Sequence, residues 1–486
     1  MQELDIKEHF HYDHTDEESI MARARMLKGK TIGYVEQHSP FDKVDINSKD
    51  KGKIGNFVQK NWFGIPVNSS PEPDFEEAGI ELKACPIIYK KTKGLETDQR
   101  TKICVINYMA LYKENWENSH AKKKLNKILF VFHERKETYE DMFDKKILDV
   151  ALWELSNEVQ IQVIKNDWQK AFEMNFNGES DDLTETLFTI LSTSGATGGR
   201  TINGVKYQVE QPVKKYKDYA KLRAFSLKKD FTNQFWQEHR KPNSFESIVD
   251  SLDLSSSDNY ESNILNAISH YEGKTMGEIA NIFNTTIPGG KAAVPSIIKL
   301  AIGFKSVKSK IKEFEQLGIL VKTFPVRTSD MRPWEAVSFP AIKIKEFTKE
   351  IWDESTFLSE IGKILFVPFS AENRNTKAKD KKLHKPFFWS PNSDEIELIK
   401  QEWETYKAQA SKKLSIFKKP GNYKKGYKEI ITNLSNESET KIIHIRPHGR
   451  DSNDRDEDNY GTSVIKQSFW LNKKFVQKLV INSLNE

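Results

Sequence analysis

Apolar and polar side chains alternate through Gly79–Tyr89, with Ile80, Leu82 and Ala84 on one side and Glu81 and Lys83 on the other. That period of two predicts a β-strand with one buried face. Apolar runs at Ile128–His133, Ile319–Pro325 and Ile364–Val367 predict three further strands. Asp394–Lys407 has helical spacing, and Asp394 and Glu395 suit the N-terminal end of a helix dipole. Trp62-Phe63-Gly64 reads as the end of a preceding helix. Strand and helix patterns alternate, so the expected fold class is α/β, a mixed sheet flanked by helices. Gly449–Gly461 carries charges of both signs without periodicity, and is expected to be mobile or ordered only by a partner.

The pattern is written twice. Gly29-Lys30-Thr31-Ile32-Gly33 recurs as Gly273-Lys274-Thr275-Met276-Gly277, and Gly79–Ile87 recurs as Gly318–Val326. Trp116-Glu117-Asn118-Ser119 recurs as Trp352-Asp353-Glu354-Ser355, and Ala224–Phe231 recurs as Ser468–Phe475. Position by position the copies lie 244, 239, 236 and 244 residues apart, in the same order. Drifts of this size are what loop insertions produce. The chain is therefore read as two copies of a module of about 230 residues. The expected division is residues 1–238, a linker at 239–258, and 259–486. Pro242, Asn243, Ser244 and Ser255–Asn259 break the periodicity at the seam.

Composition sets bounds on this. A chain of 486 residues exceeds one hydrophobic core. With 37% hydrophobic and 30% charged residues, and no run of roughly 20 apolar positions, a soluble protein without membrane contact is expected. The start, Met1–Asp5, lacks the pattern of a signal peptide. Cys85 and Cys104 alone make no disulfide framework, so a bacterial-type reducing cytoplasm is the expected location. The net charge of +5 predicts no partner by itself, but basic clusters at His120–Lys127, Lys214–Lys229 and Lys412–Lys428 suit a phosphate backbone. Any one of them is equally well a solvated helix face.

Candidate chemistry sits on the first strand. Asp74 precedes Glu81 by seven residues behind Pro71 and Pro73, a spacing that lets the chain double back and bring the two carboxylates together. At about 4 Å they repel by roughly 4 kcal/mol at an effective dielectric near 20, a cost that a divalent cation removes. Lys83 shares their face. Two carboxylates and an ammonium provide what phosphodiester hydrolysis requires, and oxygen ligands without a His or Cys cluster favour Mg²⁺ over Zn²⁺. Asp-x(6)-Glu-x-Lys alone is a weak motif, equally compatible with an edge strand bearing a surface ion pair.

Longer motifs carry a resemblance. Asp74-Phe75-(x3)-Gly79-Ile80-Glu81-Leu82-Lys83-(x2)-Pro86 resembles the active-site signature of MutH-type nucleases of the PD-(D/E)XK superfamily. Trp116-Glu117-(x)-Ser119-His120-(x3)-Lys124-Leu125, Phe388–Asn392, Ile445-Arg446-Pro447 and Phe225-(x)-Leu227-Lys228-Lys229-(x)-Phe231 are similar to further blocks of that family. The tandem arrangement resembles two-domain type II restriction endonucleases that recognise GATC. The resemblance implies a restriction-endonuclease-like fold, with metal ligands Asp74 and Glu81. Lys83 would orient or activate the attacking water, and Lys124 would be a second active-site or phosphate-contacting lysine. One departure stands out: Lys60 occupies a position, four before Gly64, where the family usually has glutamate. Glu76 or Glu77 are the candidate substitutes.

In the second copy Asp74 falls on Glu313, Glu81 on Leu320, Lys83 on Lys322 and Lys124 on Glu360. Leucine cannot ligate a hard cation, so this module is expected not to cut. His444–Arg450 resembles the family's base-recognition loop, in which Arg446, with Pro447, His448 and Arg450 beside it, is placed to read guanine edges. A structural ion pair at Arg446 is the alternative. The first module's equivalent loop is Thr193–Arg200, so Thr193, Ser194, Gly195, Thr197 and Arg200, with Lys228, are its candidate DNA contacts. Neither that loop nor Gly289–Ala292 is followed by Gly-Lys-Ser/Thr, so no nucleotide cofactor is expected. His9, His11 and His14 read as solvated terminal histidines, and Cys85 as a packing thiol.

These readings converge on a Mg²⁺-dependent endonuclease for GATC duplex DNA, with the second module as a regulatory or pseudo-dimer partner and a DNA-induced homodimer as one assembly. The rivals are a MutH-like repair nickase and a non-catalytic GATC-binding regulator.

Overall fold

A computed structural model of the chain describes residues 12–39, 53–68, 70–90, 94–135, 142–196, 198–202, 205–215, 218–242, 244–247, 260–287, 293–302, 304, 310–352, 355–373, 375–420 and 427–485. His9, His11, Thr197 and Gly289–Ala292 lie outside them. The chain forms two compact units. One comprises Met1–Thr184, Phe188–Phe245 and Glu315–Leu317; the other comprises Glu185–Leu187, Glu246–Phe314 and Gly318–Glu486.

The first unit begins with α1 (Glu17–Arg25), whose N-terminus is capped by Asp16, and α2 (Lys53–Asn61). Gly64 follows α2 at φ +70° and accommodates the turn out of the helix, as the Trp-Phe-Gly run predicts. Strands β1 (Ile80–Lys90), β2 (Gly94–Thr97), β4 (Lys127–Glu134) and β5 (Ile147–Glu154) form one sheet in the order β2-β1-β4-β5. β1 and β4 are parallel, and the outer pairs are antiparallel. Ile80, Leu82, Leu129 and Val131 put this sheet's apolar face against Val58, Trp62 and Phe75. A second, antiparallel sheet contains β3 (Thr101–Val105), β6 (Leu191–Gly195) and β7 (Arg223–Leu227), with β7 central. Helices α3 (His120–Leu125), α4 (Glu158–Phe176) and α5 (Lys229–Arg240) complete the unit. Because α5 runs to Arg240, His239 and Arg240 are helical rather than connecting chain.

The second unit repeats the plan. After α6 (Lys312–Gln316), strand β8 (Ile319–Arg327) pairs in parallel with β10 (Lys363–Ala371), which also pairs antiparallel with β11 (Phe387–Trp389). β9 (Val337–Ile342), β12 (Ile443–Pro447) and β13 (Gln467–Leu471) form the second sheet with β13 central. Helices α7 (Thr356–Glu360), α8 (Ser393–Ala410) and α9 (Lys473–Asn485) complete it. The registers match as well: Glu81 pairs with Ile128 and Ile128 with Trp153, while Leu320 pairs with Ile364 and Ile364 with Trp389. The α/β expectation holds in both copies.

One expectation is corrected. Gly449–Gly461 is not an unstructured tract, since Arg455–Glu457 pairs antiparallel with Ser463–Ile465. Fully buried Asp458 accepts hydrogen bonds from the backbone N–H groups of Leu414, Tyr460 and Thr462, which draws the charged segment onto the unit. Among the described residues no helix is long and apolar enough to cross a membrane.

Candidate active site

The chain reverses between Asp74 and Glu81. Phe75 and Ile80 exchange backbone hydrogen bonds at 2.9 and 3.1 Å, and Gly79 takes φ +68°, where a side chain is disfavoured. The matching Gly318 has φ +62°. This turn sets Asp74 beside the start of β1. The Asp74 N–H donates to Glu81 Oε2 at 3.2 Å, and the Leu82 N–H donates to Asp74 Oδ2 at 2.9 Å. Asp74 Oδ1 accepts from Gln59 Nε2 at 3.0 Å.

Two lysines close the cluster. Lys83 Nζ lies 2.5 Å from Glu81 Oε1, and Lys124 Nζ, carried by α3, lies 2.9 Å from Glu81 Oε2. Ser119 caps α3 by accepting from the Lys122 N–H at 3.1 Å, which orients the helix that delivers Lys124. Glu81 is 2% exposed and Lys124 8%, so their attraction is weakly screened. Burial, then the adjacent Glu81 charge, pushes the Asp74 carboxyl above its ordinary range, against the opposing pull of Lys83, the Leu82 N–H and Lys124. All four residues singled out in the sequence thus meet at one point.

The neighbours differ from expectation. Lys60, Glu76 and Glu77 are exposed, and neither glutamate has a hydrogen bond to the cluster. The side chain that reaches Asp74 from α2 is Gln59, one residue before Lys60 and 7% exposed. Counting back from Gly64 pointed to Lys60. Phe57, Val58 and Gln59 are buried in succession, so no simple helical stripe singles out Gln59. Cys104 on β3 senses the charges of Lys83, Lys124 and Glu81, although burial pushes its thiol up to about 12. Cys85 is buried, its thiol also pushed up to about 12, which suits packing rather than nucleophilic work. His14 is exposed and lines, with Tyr12, Phe63 and Asp74, a cleft of about 700 Å³.

The donor set suits a hard divalent ion that keeps most of its water. Two carboxylates converge, and among the described residues no group of three or more His, Cys, Asp or Glu side chains is arranged to hold a metal. Mg²⁺ is commonly held by one or two carboxylates plus water and phosphate oxygens, whereas a structural Zn²⁺ site takes four protein ligands.

The corresponding place in the second unit has different chemistry. Leu320 occupies the register of Glu81, and Lys322 Nζ donates to the Ser338 carbonyl at 2.5 Å beneath the Phe339 ring. Burial pulls the Lys322 ammonium down to about 8, while Glu360, on α7, pulls it up. Glu313 lies on α6, with its Oε1 accepting from the Ser247 hydroxyl at 2.5 Å.

The family model described as the DNA mismatch repair enzyme MutH matches residues 63–167 and again 302–402. Two separate segments of the chain thus resemble MutH. It is 27% identical over 469 residues to the type II restriction enzyme Sau3AI of Staphylococcus aureus, covering 89% of this chain and 93% of that protein. It is 28% identical over 241 residues to the DNA mismatch repair protein MutH of Vibrio vulnificus and 29% over 227 residues to that of Vibrio cholerae. These matches cover 48% and 46% of this chain, and 96% and 97% of the relatives.

In the second MutH-like module, the Arg446 guanidinium carbon stands 3.7 Å from the Trp470 ring centroid, across the β12/β13 pair. His448 packs edge-on to Trp470 and its Nδ1 lies 3.0 Å from Ser468 Oγ. His448 and Arg450 are exposed, and Pro447 pairs with Gln467. Arg446, His448 and Trp470 therefore form one polar-aromatic group.

The first MutH-like module requires corrections at this position. Thr193 and Ser194 are 1% and 4% exposed, because β6 is enclosed by β7 and neighbouring helices, and Ser194 Oγ is 2.6 Å from Ser226 Oγ. They present no side chain to a duplex. Lys228 is likewise buried, beside Asp167, and is not placed as a surface phosphate contact. Gly195 is engaged through its carbonyl by Lys102 Nζ at 2.6 Å, and Arg200 is exposed. The His120–Lys127 lysines are ion-paired: Lys122 with Glu117, Lys123 with Glu72, Lys124 with Glu81 and Lys127 with Glu17.

Proposed function

We propose that this protein is a metal-dependent, site-specific endonuclease for duplex DNA, cutting with its first module and binding DNA with its second. The observation that supports this is the contrast at one register. The first module brings Asp74, Glu81, Lys83 and Lys124 together, while the second has Leu320, Lys322 and Glu360. Restriction rather than repair is favoured because the likeness to the type II restriction enzyme runs through both modules, whereas each MutH relative spans about half the chain.

In this mechanism Asp74 and Glu81 would hold Mg²⁺, which when bound would supply Lewis-acid stabilisation of charge on the phosphoryl oxygens. Gln59 and the Leu82 N–H fix the Asp74 carboxylate, and the Asp74 N–H fixes Glu81. Lys83, the more exposed lysine, orients the attacking water, and Lys124 meets the scissile phosphate. In the second module Arg446, oriented by Trp470, reads guanine in the major groove, with His448 and Arg450 alongside. The proposed target is GATC. A palindromic site is met by the two modules as a pseudo-dimer or by a DNA-induced dimer of chains.

Digestion of a defined plasmid with Mg²⁺, followed by sequencing of the ends, tests this reading. Double-strand breaks at GATC are expected. Nicking confined to hemimethylated duplex would instead indicate a repair nickase, and binding without any cleavage a regulator.

A further inference from the structure

We propose that the Lys124 and Lys83 ammonium groups lock the metal-free centre of the first module, and that a divalent cation enters only as they release Glu81. The proposal rests on the reading of Asp74 and Glu81 as metal ligands.

Every carboxylate oxygen of the centre faces a donor from the protein itself. Asp74 Oδ1 faces Gln59 and Asp74 Oδ2 faces the Leu82 N–H, at 3.0 and 2.9 Å. Glu81 Oε1 faces Lys83 at 2.5 Å; its Oε2 faces Lys124 at 2.9 Å and the Asp74 N–H at 3.2 Å. Two carboxylates and two ammonium groups make the cluster formally neutral. A neutral, hydrogen-bonded centre has little residual pull on a cation, and a divalent ion joining it would meet two positive charges. Because Lys124 and Glu81 are buried, water does little to soften that repulsion.

The lock is also anchored. Lys123, beside Lys124 on α3, pairs with Glu72 at 2.5 Å, two residues before Asp74. One short helix thus holds both the segment leading into Asp74 and the strand carrying Glu81. An incoming phosphodiester offers the lysines new anionic acceptors and leaves Glu81 free for the cation. DNA and metal would then strengthen each other's binding, by a coupling that must be reciprocal.

The test is the affinity of the full-length chain for Mn²⁺ without DNA, read from the electron paramagnetic resonance signal of free Mn²⁺. Lys124→Met is expected to bind Mn²⁺ at least tenfold more tightly than the wild type. Lys83→Met should shift in the same direction by less, since Lys83 is more exposed, and Lys124→Arg should stay near the wild type. Lys83→Met keeps the test decisive if Lys124→Met does not fold. Binding no tighter than wild type in the folded methionine variants overturns the lock. Undiminished Mn²⁺ binding when Asp74→Asn is added to Lys124→Met overturns the metal-ligand reading beneath it instead.

Discussion

Lys124 and Glu81 lie 43 residues apart in sequence and form an ion pair of 2.9 Å in which neither side chain is appreciably exposed. Isolating one charge of such a pair is far more costly than removing both. Lys83 still pairs with Glu81 once Lys124 is removed, so Lys124→Ala is expected to destabilise the first module by less than the roughly 3–5 kcal/mol of a fully isolated buried charge. Combining Lys124→Met with Glu81→Leu, which imports the second module's leucine, should recover most of that loss. Urea denaturation measures both, and neither protein should cleave DNA. Equal destabilisation by the single and double changes would contradict this account.

Asp74 gives the opposite sign. Burial and the Glu81 charge raise its carboxyl above the ordinary value. A folded-state pKa above the unfolded one favours the fold below the ordinary carboxylate range, and that advantage is lost as pH rises through the folded value. At neutral pH the ionised side chain therefore costs stability. Asp74→Asn should remove the fall in stability that the wild type shows as pH rises from acid to neutral, while cleavage is lost. Thermal scans across pH, paired with plasmid digestion, check both halves.

Lys322 makes the second module's stability depend on alkaline pH. Its ammonium is held down to about 8 from 10.5, chiefly by burial. Between those values the unfolded chain binds more protons than the folded one, so stability should rise with pH through that window. Partial solvent access limits the gain to the order of 1–3 kcal/mol. Lys322→Met should flatten the rise, which denaturant titrations from about pH 8 to about pH 10.5 would show.

Arg446 rests on Trp470, and both are expected to matter for DNA recognition rather than for cutting chemistry. Arg446→Ala in the full-length chain should weaken duplex binding by about 1–3 kcal/mol and narrow the preference for GATC over scrambled sequence. Trp470→Ala should produce a smaller loss of the same preference, because the guanidinium remains but is no longer oriented. Fluorescence anisotropy with labelled duplexes at two salt concentrations separates this from a phosphate contact, whose loss would weaken both duplexes alike.

Much of this architecture was legible before any coordinates. The alternation around Glu81 and the apolar run around Leu320 both report a strand, the first because side chains of a strand change face at every residue. The offsets of 239 and 236 place Leu320 and Ile364 where Glu81 and Ile128 stand in the first copy, but the pairing within each copy came from the structure. The reversal before Glu81 was expected from the seven-residue spacing behind Pro71 and Pro73, and the structure makes it at Gly79, with φ +68°.

Other features depend on contacts that no local pattern encodes. Gln59 rather than Lys60 meets Asp74, because helical phase and packing decide which side chain turns inward. Thr193 and Ser194 are polar and sit in a candidate reading loop, yet both are buried on β6, which pairs with β7. The charged tract around Asp458 is ordered by backbone N–H groups as distant in sequence as Leu414. By itself the sequence determined the duplicated α/β plan and the meeting of Asp74, Glu81 and Lys83, because strand period and close spacing are short-range properties and a repeat is read directly along the chain. Only the tertiary structure decided which lysines neutralise that centre and which polar groups are buried, because burial and charge pairing depend on segments brought together from across the fold.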